Sequence, residues 1–209
     1  MRAQGSEKKS GHVPFQMVGG HPILDFVNTL DWRFRLSGAE ELIKDYGDLL
    51  RFTAQCGLLN RSEVSRIRAN GSPGTAQQVL TASRRLRETL ATILYDILDL
   101  QSPAAAAVSA LHAYVASAQR EQELGRQENR LVWMWSPKST HAMELPLWKL
   151  SVEAVALLTS NHMSTLKACS NQECRWLFLD ISKNRSRRWC DMKLCGNRLK
   201  AKRFREKKE

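Results

Sequence analysis

The amino-acid sequence predicts a mainly α-helical domain with a small β component (α+β), followed by a small C-terminal module organised by four cysteines. Three observations predict it. Between residues 39 and 160, apolar residues recur at three- and four-residue steps, the spacing of one buried helix face. One short run, Arg130 to Trp135, is aromatic and β-branched and fits a strand. Four of the five cysteines lie between residues 167 and 209, a segment with 14 Lys and Arg against 5 Asp and Glu, which holds +9 of the chain's +11 net charge. Both signals change near residue 166, so the boundary is set there. The expected organisation is a disordered leader over 1–17, a mainly helical regulatory or sensing domain over 18–165, and the cysteine module with a basic helix over 166–209.

The elements follow in chain order. Gly19-Gly20-His21-Pro22 is turn-like, and the apolar stretch Ile23–Leu30 after it fits a strand or an opening helix turn. Ala39–Leu58 reads as an amphipathic helix, with Leu42, Tyr46, Leu49, Leu50 and Thr53 on one face and Gly57 as its stop. Ser62 is placed to cap a short helix through Arg68. After the loop 70–74, a long helix runs from Thr75 to Leu100 with Val79, Leu86, Leu90 and Leu94 inward. Pro103 opens an alanine-rich helix to Ala118. Gln119–Asn129 is polar and reads as a loop, and Arg130–Trp135 as a strand. Pro146 opens a last helix, Leu147–Ser160, apolar nearly all round and therefore buried.

Cys169 and Cys174 are separated by four residues, and Cys190 and Cys195 repeat that gap after an interval of fifteen. Zn²⁺ takes four thiolates in a tetrahedron, with paired ligands two to four residues apart. The segment is thus expected to be a small four-cysteine zinc finger holding one structural Zn²⁺. A four-thiolate set leaves no open position for water, so the metal's binding energy acts as folding energy. Gly196 is expected to supply a positive φ after the last ligand. Cys56 and His162 are not expected to ligate.

Between and after the cysteine pairs the chain is strongly basic. Arg185, Arg187 and Arg188 precede Cys190, while Asn197, Arg198, Lys200, Lys202, Arg203 and Arg205 fall on an expected C-terminal helix. Such a density of cations suits a phosphate backbone, and Asn and Arg have the donor geometry to read base edges. These nine residues are the candidate nucleic-acid contacts. Trp176, Phe178 and Trp189 are expected to exclude water from the metal, and Asp180 to pair with Arg187 or Arg188.

Cys-Arg-Trp-Leu-Phe-Leu-Asp (174–180), Asn-Arg-Ser-Arg-Arg-Trp-Cys (184–190) and Cys-Gly-Asn-Arg (195–198) together resemble the bacterial CGNR zinc finger. Gly19-Gly20-His21-Pro22 with Leu24-Asp25-Phe26-Val27-Asn28-Thr29 resembles the opening of the ABATE domain, which usually precedes that finger. The resemblance implies a bacterial, zinc-dependent, DNA-binding regulator of the stress response with an N-terminal sensing domain.

Asp25, Asn28, Thr29 and Arg33 are polar groups in or beside an apolar segment, the candidate lining of an effector pocket with Trp133 and Trp135 as walls. No enzymatic activity is expected: the chain has no glycine-rich phosphate loop, no nucleophile elbow and no histidines paired at metal spacing. No apolar run approaches the ~18 residues that span a bilayer, and Met1–Gly11 lacks the apolar core of a secretory signal, so a soluble cytoplasmic protein is expected. The expected partners are DNA, or in the alternative reading RNA or another protein with a thiol-redox response, together with a small-molecule effector and a second copy of the chain as homodimer.

Overall fold

The computed structural model describes residues 13–69, 71–135 and 142–206. In chain order the elements are α1 (Pro22–Asn28), β1 (Leu30–Asp31), β2 (Glu40–Glu41), α2 (Tyr46–Gln55), α3 (Arg61–Ala69), α4 (Pro73–Leu98), α5 (Ala105–Gln119), β3 (Gln122–Gln127), β4 (Arg130–Trp135), α6 (Leu145–Leu158), β5 (Leu166–Ala168), β6 (Leu177–Leu179) and α7 (Asn197–Glu206). The strands pair antiparallel as β1–β2, β3–β4 and β5–β6. Helix α4 runs through the middle, with Leu86, Leu90 and Leu94 fully buried against α1, α2, α5 and α6.

The apolar opening stretch is a helix because its start is fixed. Gly20 takes φ +77, His21 caps α1 by accepting from the Ile23 N–H, and Pro22 occupies the first turn. His21 Nε2 lies 3.3 Å from Glu153 on α6. Helix α2 is shorter than the periodicity predicts. Glu40–Glu41 pair with Leu30–Asp31, and the chain turns helical only after Asp45, whose side chain accepts from the Asp48 N–H. At α3 the cap is Asn60 and not Ser62: the Asn60 side chain accepts from the Glu63 N–H, and Glu63 accepts from the Asn60 N–H, a reciprocal capping box. Ser72 caps α4, which begins at Pro73, two residues before the predicted start.

Two expectations are overturned. Gln122–Gln127 is not loop but strand β3, paired along its whole length with β4 across the two-residue turn Glu128–Asn129, with Glu128 at φ +52. Its Gln-Glu-Leu-Gly-Arg-Gln sequence has little β-propensity, so the partner strand imposes the extended form. Residues 13–17 of the predicted leader are ordered on α2: Phe15 packs edge-on against Phe52 at 5.4 Å, and its backbone N–H and C=O bond the Gln55 side chain at 3.0 and 2.7 Å. One half-buried aromatic outweighs the polarity of its neighbours. Residues 1–12 lie outside the described residues.

The cysteine module is not a free-standing tail. Leu166, Leu177 and Leu179, from β5 and β6, lie in the same apolar core as α1, α4 and α6. No helix among the described residues is long and apolar enough to cross a membrane.

Candidate metal centre and nucleic-acid face

Two tight turns present the four thiols to one point. Cys169 leaves β5 with its N–H bonded to the Trp176 carbonyl at 2.8 Å. The Asn171 carbonyl then accepts from both Cys174 and Arg175, and Arg175 takes a left-handed φ of 48°. At the second pair, the Asp191 side chain accepts from the Lys193 and Leu194 N–H groups, and its carbonyl accepts from Cys195 and Gly196. This winds Met192–Gly196 into a π-helical turn continuous with α7. The ligand atoms of Cys169, Cys174, Cys190 and Cys195 all lie within 4.8 Å of one another, and all four residues are buried. Four Zn–S bonds of about 2.3 Å in a tetrahedron place the sulfurs roughly 3.8 Å apart; Cys174 and Cys190 stand at 3.9 Å. Contact with the Cys169 sulfur, and then burial, push the Cys174 and Cys190 thiols up, while the hydrogen bond from Cys174 pulls Cys169 down. Such a cluster cannot carry four negative charges by itself, and a divalent cation of zinc's preference fits it. Asn171 Nδ2 reaches the Cys195 sulfur at 3.7 Å. Cys56 sits apart at the end of α2, where burial raises its thiol to about 11, and His162 is exposed on a separate turn.

The apolar shell of the centre comes from both halves of the chain. Trp176 and Phe178 pack with the cysteines as expected, with Trp189 and Leu194 partly buried beside them. Val18 and Trp32 complete the shell from the N-terminal segment, and nothing in their spacing announces this. Gly196 is not there for a left-handed conformation. Its φ is not positive, and a Cβ would meet Met192 Sδ at 2.6 Å and Trp189 Cδ1 at 3.1 Å.

Backbone pairing ties the two halves together. The Asn28 side chain brackets Leu177 as a neighbouring strand would: its Nδ2 donates to the Leu177 carbonyl at 2.9 Å, and its Oδ1 accepts from the Leu177 N–H at 2.8 Å. The Leu179 N–H bonds the Gly19 carbonyl at 2.8 Å, and the Phe34 N–H bonds the Glu173 carbonyl at 3.3 Å. These contacts start in the segment that opens the ABATE family model, described as "Putative stress-induced transcription regulator", which matches residues 20–161. The chain belongs to the ABATE family. A second model, the CGNR zinc finger, matches residues 165–208. No curated protein matches the chain.

The ABATE opening residues do not gather around a ligand. Asp25 is 5% exposed and accepts from the Gly19 N–H at 2.7 Å; burial, opposed by that bond, raises its carboxyl to about 6. Asn28 holds Leu177. Thr29 Oγ1 donates to the Phe26 carbonyl and accepts from Arg87, itself 3% exposed and bidentate to Glu41 at 2.7 and 2.6 Å. Arg33 pairs with Glu88 and donates to the Val27 carbonyl. The predicted pocket is thereby corrected: polar groups with this many fixed partners are structural. Trp133 is 67% exposed on β4, and Trp135 stacks on Trp148 at 6.0 Å, so neither walls these residues.

The basic residues divide in two. Arg185, Arg188, Asn197, Arg198, Lys200 and Arg205 are exposed. Arg187 is withdrawn from that face: it donates to the carbonyls of Val18, Trp189 and Cys190 and lies 4.2 Å over the Phe178 ring. Asp180, fully buried, accepts from the Arg187 backbone N–H, but its charged partner is Lys167 at 2.6 Å, which with Ser182 holds the carboxyl well below the usual range. The side chains of Lys202 and Arg203 lie outside the described residues.

Proposed function

We propose that this ABATE–CGNR protein is a zinc-dependent DNA-binding transcription regulator that uses α7 and the turn before Cys190 to contact DNA. The observation that carries this reading is the exposure of Asn197, Arg198, Lys200 and Arg205 on a helix continuous with the turn that holds Cys195. None of the three cations forms an ion pair among the described residues. Four thiolates would hold one structural Zn²⁺, whose charge stabilises the clustered sulfurs; the protein's own residues do the rest. Asp191 fixes the last turn, Leu199 is half-buried, and the cations face outward for phosphate. Asn197 and Arg198, at the start of the helix, are the candidates for base-edge contact. The same reading assigns the chain no catalytic role and places it in the cytoplasm.

Genomic DNA fragments selected by the zinc-loaded protein at about 0.15 M salt test the reading, since weak surface electrostatics are screened there. Enrichment of a shared sequence, absent with Cys195→Ser, is the expected result. Uniform recovery, or stronger competition by a structured RNA than by duplex DNA, would replace it with the RNA-binding alternative. The N-terminal domain is read as sensing an effector or dimerising. Native mass spectrometry of the purified protein checks both, because a co-purified small molecule or a doubled mass is expected and a bare monomer would remove this part of the reading.

A further inference from the structure

The loop between β1 and β2 is built onto the finger. Trp32, at a left-handed φ of 50°, enters the apolar shell of the thiols. Two residues on, Phe34 bonds the Glu173 carbonyl and packs edge-on with Tyr95, and Arg175 lies 5.3 Å over both rings. The Trp32 indole in turn carries two guanidiniums. Arg35, from the same loop, lies 5.5 Å from the ring centroid, and Arg198, from α7, lies 4.7 Å from it. Those distances put the two guanidinium carbons no more than about 10 Å apart. Arg35 donates to the Gly38 carbonyl, and neither arginine forms an ion pair among the described residues. One carboxylate, Asp31, lines the cleft that Trp32 and Arg198 share; burial raises its pKa, and the charge of Arg35 partly offsets that.

We infer that the nucleic-acid face is composite: Arg35 of the ABATE domain and Arg198 of the finger, both seated on Trp32, form a phosphate clamp for the DNA backbone. This rests on the DNA-binding reading above. Two like charges converging on one ring repel each other, and aromatic stacking offsets only part of that repulsion. A DNA phosphate offers a separate oxygen to each guanidinium, offsets that repulsion and suits the planar donors of both. The ABATE domain would then help grip DNA directly, in addition to any sensing role.

Salt dependence separates this from the finger-only reading. Affinity for a 30-base-pair random-sequence duplex would be measured by fluorescence anisotropy from about 0.05 to 0.2 M salt, a range over which phosphate neutralisation dominates the change in affinity. Full-length zinc-loaded protein and its Arg35→Ala, Arg35→Lys, Arg198→Ala and Arg126→Ala variants would be compared, with zinc content checked in each. Each phosphate left without its cation lowers the log–log slope by about 0.9. Because the two arginines share a phosphate, Arg35→Ala and Arg198→Ala are each expected to lower it by a clear part of that, up to about 0.9, and to weaken binding several-fold. Arg35→Lys keeps the charge and the slope, and Arg126→Ala, on the exposed β3 strand, changes neither. If Arg35→Ala matches Arg126→Ala while Arg198→Ala reduces the slope, the clamp is wrong and the finger reading stands. If the wild-type protein does not bind the duplex, both fail.

Discussion

Strands β5 and β6 have three residues each and β3 and β4 have six, yet the shorter pair is the better anchored. Every residue of β6 is buried, its backbone is bracketed by Asn28 and Gly19, and its two leucines enter the main core. The β3–β4 hairpin meets the body chiefly through Trp135 on Trp148, and leaves Leu124, Leu131 and Trp133 more than half exposed on one face. Strand length thus does not decide how firmly a hairpin belongs to the fold. What decides it is where the side chains go and whether the rest of the chain completes the backbone hydrogen bonds.

Substitutions in the two hairpins should differ accordingly, and the largest effect should come from the metal. Zn²⁺ at a four-thiolate site contributes on the order of 10 kcal/mol of folding energy. Chelation, or Cys195→Ser, should therefore melt the N-terminal helices along with the finger, seen as one cooperative loss of far-UV ellipticity at lower temperature. A helical domain that keeps its melting temperature after chelation would break the comparison. Next comes Asn28→Ala. It leaves the buried N–H and C=O of Leu177 without partners, at about 1–3 kcal/mol each, so urea unfolding should show a loss of about 2–6 kcal/mol. A loss under 1 kcal/mol would mean that the bracket is dispensable.

Asp25 gives a pH-dependent test on the same side of the comparison. Its folded pKa, about 6, lies above the ordinary 3.8, so the folded state holds the proton more tightly than the unfolded chain. The stability it confers is complete below about pH 4 and is lost as the pH rises through 6. Asp25→Asn keeps an acceptor for the Gly19 N–H without the charge. The variant should exceed wild type by on the order of 1 kcal/mol at pH 8, with the gap closing by pH 4; an equal gap at both pH values would exclude burial of the charge as the cause. The smallest effect belongs to the exposed hairpin. Trp133→Ser should change monomer stability by no more than about 0.5 kcal/mol. A larger, concentration-dependent loss would show that this face is covered by a second copy.

Much of this was legible in the sequence, and the misses have physical reasons. The helices α4 and α6 follow from their apolar spacing, and the metal centre from two equal Cys gaps, because both signals are local. Strand β3 was illegible because Gln-Glu-Leu-Gly-Arg-Gln is extended only by virtue of its partner. Asp25, Asn28 and Thr29 stood out as polar residues in an apolar run, but one sequence does not distinguish a pocket from a hydrogen-bonded joint. For Asn28 the joint lies 149 residues away, at Leu177. Arg187 was misplaced for the same reason, being held inward by carbonyls from both halves, and Trp32 carried no local signal that it belongs to the finger's shell.

The central claim is that the ABATE opening and the zinc finger form one cooperative unit. Backbone hydrogen exchange, followed by mass spectrometry with zinc bound and after chelation, tests it most directly. The amides of α1 and β6 should share one high protection with zinc and lose it together on chelation. If α1 keeps its protection while residues 166–206 open alone, the two are separate domains in contact and the claim is wrong.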